Sequence, residues 1–218
     1  MDTSFSDSRR QFLRVGCAAL AASAFGLPLA AQAQAATGVA QQIADHFSSV
    51  RTMQGEFVQF GPKGEQTGGK FYIQRPGRIL FKYDGSSGFR VVSDGDSVVI
   101  NNQKLKTYDL YPLSKTPLKL LLDDRIDLSG KKVKSVREEA DLTTIELSDK
   151  SVFGNARIAM MFDPKSYDLR QWTITDAQGK DTTVMIFNVQ QGVSFAADTF
   201  KIDYDKALAS GGQYSKGR

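Results

Sequence analysis

Cysteine and histidine are almost absent from this chain. Of its 218 residues one is a cysteine, Cys17, and one is a histidine, His46. A lone histidine leaves the common zinc sites and the Ser-His-Asp arrangement without their other members. The Gly-x-Ser-x-Gly motif of many lipid hydrolases does not occur either. The acidic pairs Asp123-Asp124 and Glu138-Glu139 are sequence neighbours and resemble solvated surface charge. We therefore expect no enzyme and no metal site.

Clusters of basic residues are also missing. The chain has 28 basic and 24 acidic side chains, and no run of five or more lysines and arginines. Nucleic-acid-binding domains carry a strongly basic face or tail. This balance therefore excludes a nucleic-acid partner from our expectations.

Long apolar runs are absent apart from one moderate stretch near the start. Arg9-Arg10 precedes the alanine-rich run 15–31, which ends in the small-x-small sequence 31–35. A charged start, a short apolar run and small residues at its end predict a removable signal peptide. The paired arginines indicate twin-arginine export, and the run is short and glycine-rich for a retained membrane anchor. We expect residues 1–35 to be removed and residues 36–218 to work in the periplasm.

The predicted mature chain contains no cysteine, because Cys17 lies within the signal peptide. It keeps about 183 residues, with 25 basic and 22 acidic side chains. That length suits one domain. Neither a disulfide nor a thiolate is available to it. The sequence gives no evidence of an oligomer, so we expect a monomer.

The periodicity of the mature chain predicts a mainly β, α+β domain. An amphipathic helix is expected from Val39 to about Met53, with Thr37 as N-cap and His46 at the rim of its apolar face. A second helix is expected within 112–128, with Leu118, Leu121 and Leu122 on one apolar face. Between and after them, about eleven runs alternate with period two and are separated by short turns. These runs are 55–60, 69–74, 79–84, 89–93, 96–101, 104–109, 131–138, 142–148, 156–163, 169–175 and 182–190.

Short connections between successive strands favour an antiparallel meander. An open sheet of that width tends to curl, and helices on its concave side would bury both apolar surfaces. The side chains assigned to the concave face are mostly large, aromatic or flexible. They are Phe57, Phe71, Ile73, Phe81, Met160, Phe162, Trp172, Met185 and Phe187. The pattern alone leaves open whether this face is a filled core or lines a cavity.

Four segments in order give the chain a family resemblance. They are residues 49–59 (SVRTMQGEFVQ), 68–78 (GGKFYIQRPGR), 92–95 (VSDG) and 197–200 (ADTF). Each segment is weak alone, but all four occur in register within one domain. Over about residues 40–202 the chain resembles LolA, the periplasmic carrier of outer-membrane lipoproteins. That family commonly uses the general secretory route, so a twin-arginine signal would be a departure.

The resemblance implies a curved, incomplete antiparallel β-barrel of about eleven strands with a helical lid over an apolar cavity. It also implies a carrier that receives acylated lipoproteins from an inner-membrane lipoprotein-releasing ABC transporter. The carrier would hold their acyl chains and pass them to an outer-membrane acceptor, without a cofactor. Arg75 lies where the family has an arginine that hydrogen-bonds the lid and keeps it closed when empty.

Three other interpretations stay open at the level of sequence. One is a related half-barrel that binds or senses another lipid or amphiphile. The second is a periplasmic lipid hydrolase, against which the missing motifs argue. The third is an interaction scaffold whose concave face is simply a filled core. The tail from about residue 204 is polar and glycine-bearing, and we expect it to be flexible and to cover part of the cavity mouth.

Overall fold

The computed structural model describes residues 29–126, 128 and 132–209. Its helices are α1 (Leu29–Ser49), α2 (Leu118–Leu122), α3 (Lys150–Phe153) and α4 (Tyr204–Ala209), with a 3₁₀ turn at Leu113–Lys115. Its strands are β1 (Thr52–Phe60), β2 (Gln66–Gln74), β3 (Arg78–Tyr83), β4 (Phe89–Asp94), β5 (Ser97–Asn102), β6 (Thr107–Pro112), β7 (Val133–Glu138), β8 (Thr143–Leu147), β9 (Arg157–Phe162), β10 (Leu169–Thr175) and β11 (Asp181–Gln191). Most of the predicted signal peptide lies outside the described residues.

All eleven strands belong to one antiparallel sheet. Their order is β6-β5-β4-β3-β2-β1-β11-β10-β9-β8-β7. Every neighbouring pair is consecutive in the chain except β1 and β11, which join the two halves at the centre. The edge strands β6 and β7 do not pair, so the sheet stays open. The prediction of an incomplete antiparallel barrel of about eleven strands is confirmed.

The sheet curls around one core. A single cluster of buried side chains includes Phe71 of β2, Ile145 of β8 and Ile186 of β11, together with Phe47 of α1 and Leu121 of α2. Contact among side chains from both halves of the sheet requires its inner face to be concave. Both helices lie on that face, as their apolar residues predicted.

The outer face carries a second apolar cluster on β3 to β6. It contains Leu80, Val92, Val99 and Leu110. The chain after β11 covers these residues with Phe200, Ile202 and Ala207, and Ala207 of α4 is fully buried. The Tyr204 hydroxyl also donates a hydrogen bond to Asp94 at 2.7 Å. We call residues 195–209 the C-terminal strap.

Three sequence expectations about helices and termini were wrong. Residues 204–209 are not a flexible tail at the cavity mouth, because they form α4 on the opposite face; residues 210–218 lie outside the described part of the chain. Thr37 lies within α1 and does not cap it. The helix expected within 112–128 is reduced to the 3₁₀ turn and five residues of α2, because Thr116 is extended before Pro117 and Asp123 is extended after Leu122.

Candidate functional site

The inner face of the sheet is an aromatic surface. Seven of the nine residues predicted there are at most 5% exposed. They are Phe57, Phe71, Ile73, Phe81, Met160, Phe162 and Trp172. Phe81 connects them, with its ring centroid 4.8 Å from that of Phe57 and 6.1 Å from that of Trp172. The face is continuous from β2 and β3 across β1 to β9 and β10.

Met185 and Phe187 were assigned to the wrong face. Their side chains are 44% and 41% exposed, whereas Val184 and Ile186 are each only 6% exposed and lie in the core. Ile186 is the cross-strand partner of Phe57, so the two side chains share the inner face. Residues 184–187 of this strand are all apolar, so their alternation does not show which side chains face inward. The sequence prediction chose the larger pair, Met185 and Phe187, and that choice was wrong.

The lid consists of α1 and α2, and in this structure it fills the inner face. Ile43, Leu121 and Leu122 are fully buried, and the Phe47 ring packs edge-on against Phe162 at 5.5 Å. Leu118 is only partly buried at the margin of the same cluster. Leu120, which the sequence reasoning left out, is 6% exposed. The apolar surface available to a ligand is therefore occupied by the protein's own side chains.

Arg75 connects both lid helices to the turn between β2 and β3. It is 3% exposed. Its Nη1 donates to the carbonyl oxygens of Phe47 at 2.5 Å and Val50 at 2.6 Å, and its Nε donates to that of Leu121 at 3.3 Å. Phe47 lies in the last turn of α1, where carbonyls lack intrahelical donors and the helix dipole favours a cation. Arg75 thereby holds the carboxyl ends of α1 and α2 together.

Arg75 is a buried cation. Burial, with a smaller contribution from the positive charge of Arg51, lowers the pKa of Arg75 to about 9, so the side chain stays charged at neutral pH. Its guanidinium carbon lies 3.5 Å from the Phe47 ring centroid, a cation–π contact. Its Nη2 is buried and has no hydrogen-bond partner among the described residues. Arg75 is thus a desolvated cation that uses only part of its hydrogen-bonding capacity.

A second contact joins α1 to the turn between β9 and β10, and sequence reasoning missed it. His46 Nε2 lies 3.1 Å from Asp168 Oδ1 in the β9–β10 turn, and Gln191 Nε2 donates to the same oxygen at 2.8 Å. Burial alone would raise the pKa of Asp168, but hydrogen bonds from Ser166, His46 and Gln191 outweigh it and lower that pKa. His46 and Asp168 are 122 residues apart, so no local pattern predicts the pair.

Beside this contact lies a cleft of about 550 Å³ between α1, the β9–β10 turn and β11. Its lining mixes apolar Phe47, Val50 and Met53 with polar Asp168 and Gln191. The described part of the chain holds no group of three or more His, Cys, Asp or Glu side chains arranged for a metal ion. Within the same residues, no helix combines the length and apolarity needed to cross a membrane.

Comparison with known proteins gives consistent matches. The family model described as "Outer membrane lipoprotein carrier protein LolA" matches residues 48–203. The outer-membrane lipoprotein carrier protein of Dechloromonas aromatica is 25% identical over 195 residues, covering 84% of this chain and 90% of that protein. Its counterpart in Chromohalobacter salexigens is 32% identical over 134 residues, covering 57% and 63%. A solved LolA superfamily protein from Nitrosomonas europaea is 10% identical, covers 76% of this chain and 98% of its own, and has a TM-score of 0.43.

Proposed function

The chain belongs to the LolA family of outer membrane lipoprotein carrier proteins, and we propose how its inner face performs that role. The acyl chains of a lipoprotein lie against the aromatic surface of the sheet after α1 and α2 have moved away from it. The protein part of the cargo stays in water. No covalent step is involved, and the site needs no cofactor. The signal peptide predicted at residues 1–35 supports the periplasm as the place where this occurs.

The observation that carries this proposal is the pairing of a large apolar face with a small helical cover. The face spans both halves of the sheet, whereas the cover consists of one side of α1 and the five residues of α2. Burying a methylene group is worth about 0.8 kcal/mol, and an acylated lipoprotein carries dozens of them. Its release into water is therefore strongly unfavourable, and an apolar host surface is required throughout transit.

We assign Arg75 the role of keeping the empty lid closed. Its three hydrogen bonds to Phe47, Val50 and Leu121 are made only while both helices lie on the sheet. Opening the lid breaks them, and that cost lowers the net affinity for cargo. A lower affinity favours transfer onward to a host that has no such cost. The proposed partners on either side are an inner-membrane lipoprotein-releasing ABC transporter and an outer-membrane acceptor.

Native mass spectrometry tests the cargo class directly. The mature protein is purified from cells that co-express a triacylated lipoprotein, and separately from cells expressing that lipoprotein without its acylated cysteine. We expect a one-to-one complex in the first preparation and none in the second. A copurifying phospholipid with no response to lipoprotein would instead identify a carrier or sensor of another amphiphile. A protein that stays empty in every preparation would contradict lipid binding and identify the inner face as a permanent core.

A further inference from the structure

Three cations lie side by side on the outer face of the sheet. Lys70 of β2 is the direct cross-strand partner of Lys82 of β3, which is in turn the partner of Arg90 of β4. Like charges directly opposite one another destabilise a sheet. None of the three forms an ion pair with the described residues, although Glu56 lies opposite Lys70. Lys82 Nζ lies 5.3 Å from the centroid of the Tyr72 ring, and this contact offsets the charge repulsion at only one of the three cations.

A basic cleft adjoins this row where the C-terminal strap crosses it. The cleft measures about 560 Å³, and Arg90, Lys106 and Lys206 contribute to its lining. Its one carboxylate, Asp203, is already bound to Lys206 at 2.7 Å. Arg90 Nε is buried and has no hydrogen-bond partner in the described part of the chain. The cleft thus has an excess of positive charge, which is an arrangement suited to phosphate oxygens.

Two of the most exposed leucines in the described structure flank the same cleft. Leu105 is 68% exposed in the β5–β6 turn, between Lys104 and Lys106. Leu208 is 52% exposed in α4, two residues after Lys206. Exposed apolar side chains interleaved with lysines are typical of surfaces that lie in a lipid interface. A site for a free anion or for a purely acidic protein would not need them.

We propose that this face, comprising Lys82, Arg90, the β5–β6 turn and α4, docks on a bilayer containing anionic phospholipids. The cations engage lipid phosphates, and Leu105 and Leu208 enter the interface. The positive charge of this face argues against residues 210–218 as its partner, because that segment contains Lys216 and Arg218 and no acidic side chain. A second copy of the chain would present the same positive charge. A carrier that exchanges cargo at membranes would gain a defined orientation from such a contact.

This surface is separate from the lid. Arg75 precedes β3, whereas Lys82 lies near the other end of that strand and Arg90 near the start of the antiparallel β4. The two sites are therefore at opposite ends of these strands. Membrane docking and cargo binding can fail independently, and each can be measured without the other.

Vesicle flotation of the cargo-free mature protein tests the proposal. The vesicles contain either phosphatidylcholine alone or phosphatidylcholine with roughly a third phosphatidylglycerol, at about 0.1 M salt. We expect binding only to the anionic vesicles, and its loss at about 1 M salt. Lys82→Gln with Arg90→Gln should weaken binding about 25-fold, on the basis of about fivefold for each cation near an anionic surface. The matched control, Lys115→Gln with Lys165→Gln, removes the same charge elsewhere and should change binding less than about threefold.

Two further variants guard against a folding defect at Arg90. Lys104→Gln with Lys106→Gln changes only exposed residues in a turn and should also weaken binding to anionic vesicles. Leu105→Ser with Leu208→Ser should weaken it while leaving the residual binding salt-sensitive. Equal binding to both vesicle types, or equal losses in the control, would overturn the proposal. Binding of inorganic phosphate without vesicle binding would also overturn it and leave a small-anion site.

Discussion

Replacing Arg75 with leucine tests whether one buried guanidinium keeps the lid closed. Hydrogen bonds to a charged group contribute about 1.5–3 kcal/mol each. Arg75 makes three, to Phe47, Val50 and Leu121. Burying the cation costs several kcal/mol, so the net stabilisation is much smaller than their sum. Leucine avoids that cost but leaves three carbonyls without a donor, at about 1 kcal/mol or more each. We estimate that the closed arrangement loses about 3 kcal/mol.

The consequence for cargo follows from competition between the closed lid and the acyl chains. A ligand that binds only the open form gains whatever free energy the closed form loses. At 1.4 kcal/mol for each factor of ten, about 3 kcal/mol raises the apparent affinity up to about 150-fold. Because the lid and the acyl chains compete for the same face, a weaker lid should both speed loading and slow the displacement of bound cargo. Arg75→Leu should therefore load readily and deliver poorly.

The assay measures transfer of a labelled triacylated lipoprotein from the mature protein to acceptor vesicles. Arg51→Leu is the matched control, since Arg51 pairs with Asp124 at 2.9 Å while both side chains are more than half exposed. Such a surface pair is worth about 0–1 kcal/mol, so release should change by less than about fivefold. Arg75→Lys keeps the charge without the planar fork and should be intermediate. Unchanged or faster release from a folded Arg75→Leu protein would refute the reasoning.

Of four further predictions, one concerns packing, one the turn next to the lid and two the second contact of α1. Phe71→Ala should lower the free energy of unfolding by about 3–5 kcal/mol, whereas Met185→Ser should change it by less than about 0.5 kcal/mol. Denaturant titrations measure both values. Equal losses would show that Phe71 and Met185 have been assigned to the wrong faces of the sheet. Gly77→Ala should cost about 1–3 kcal/mol, because φ is +77° and a Cβ atom would lie 2.7 Å from Gly95 Cα; an unchanged melting temperature would contradict this. His46→Ala should speed hydrogen exchange in α1 by less than about tenfold, because its bond to Asp168 is a partly exposed contact. Because the pKa of Asp168 is lowered in the folded protein, its contribution to stability is present above the unfolded pKa of about 4 and is lost as the pH falls through the folded value. Acid should therefore speed hydrogen exchange in α1 of the wild type more than in an Asp168→Asn variant.

The strands could be predicted because each is an independent local signal. Phe71 and Ile73 alternate with Lys70 and Tyr72, and short turns separate one such run from the next. Alternation identifies a half-buried strand wherever one face is apolar and the other polar. It gives no orientation for β11, where Val184, Met185, Ile186 and Phe187 are all apolar. There the pairing of Ile186 with Phe57 decides which set faces inward, and pairing is a long-range property.

The lid could be predicted only in part. The apolar faces of α1 and α2 are visible as leucine and aromatic spacing, but their closed position depends on contacts between distant segments. Arg75 reaches back to Phe47 and forward to Leu121, and no local pattern connects these three. The role of Arg75 was proposed from family resemblance, and it remains a prediction. The position of the C-terminal strap is equally non-local, because Ala207 packs on strands a hundred residues earlier.

The filled inner face of the closed structure resolves a difficulty inherent in any acyl-chain carrier. An empty apolar cavity large enough for several acyl chains would bind them too tightly to release them, since about 0.8 kcal/mol for each of dozens of methylenes exceeds any useful affinity. In the proposed mechanism the cargo must displace Ile43, Phe47, Leu121 and Leu122, each worth about 1.5–3 kcal/mol when buried. The lid is therefore an intramolecular competitor that offsets part of the cargo's burial. The net affinity is then the difference between the free energy of burying the cargo and that of burying the lid. A change of a few kcal/mol at Arg75 should therefore move the protein between loading and release.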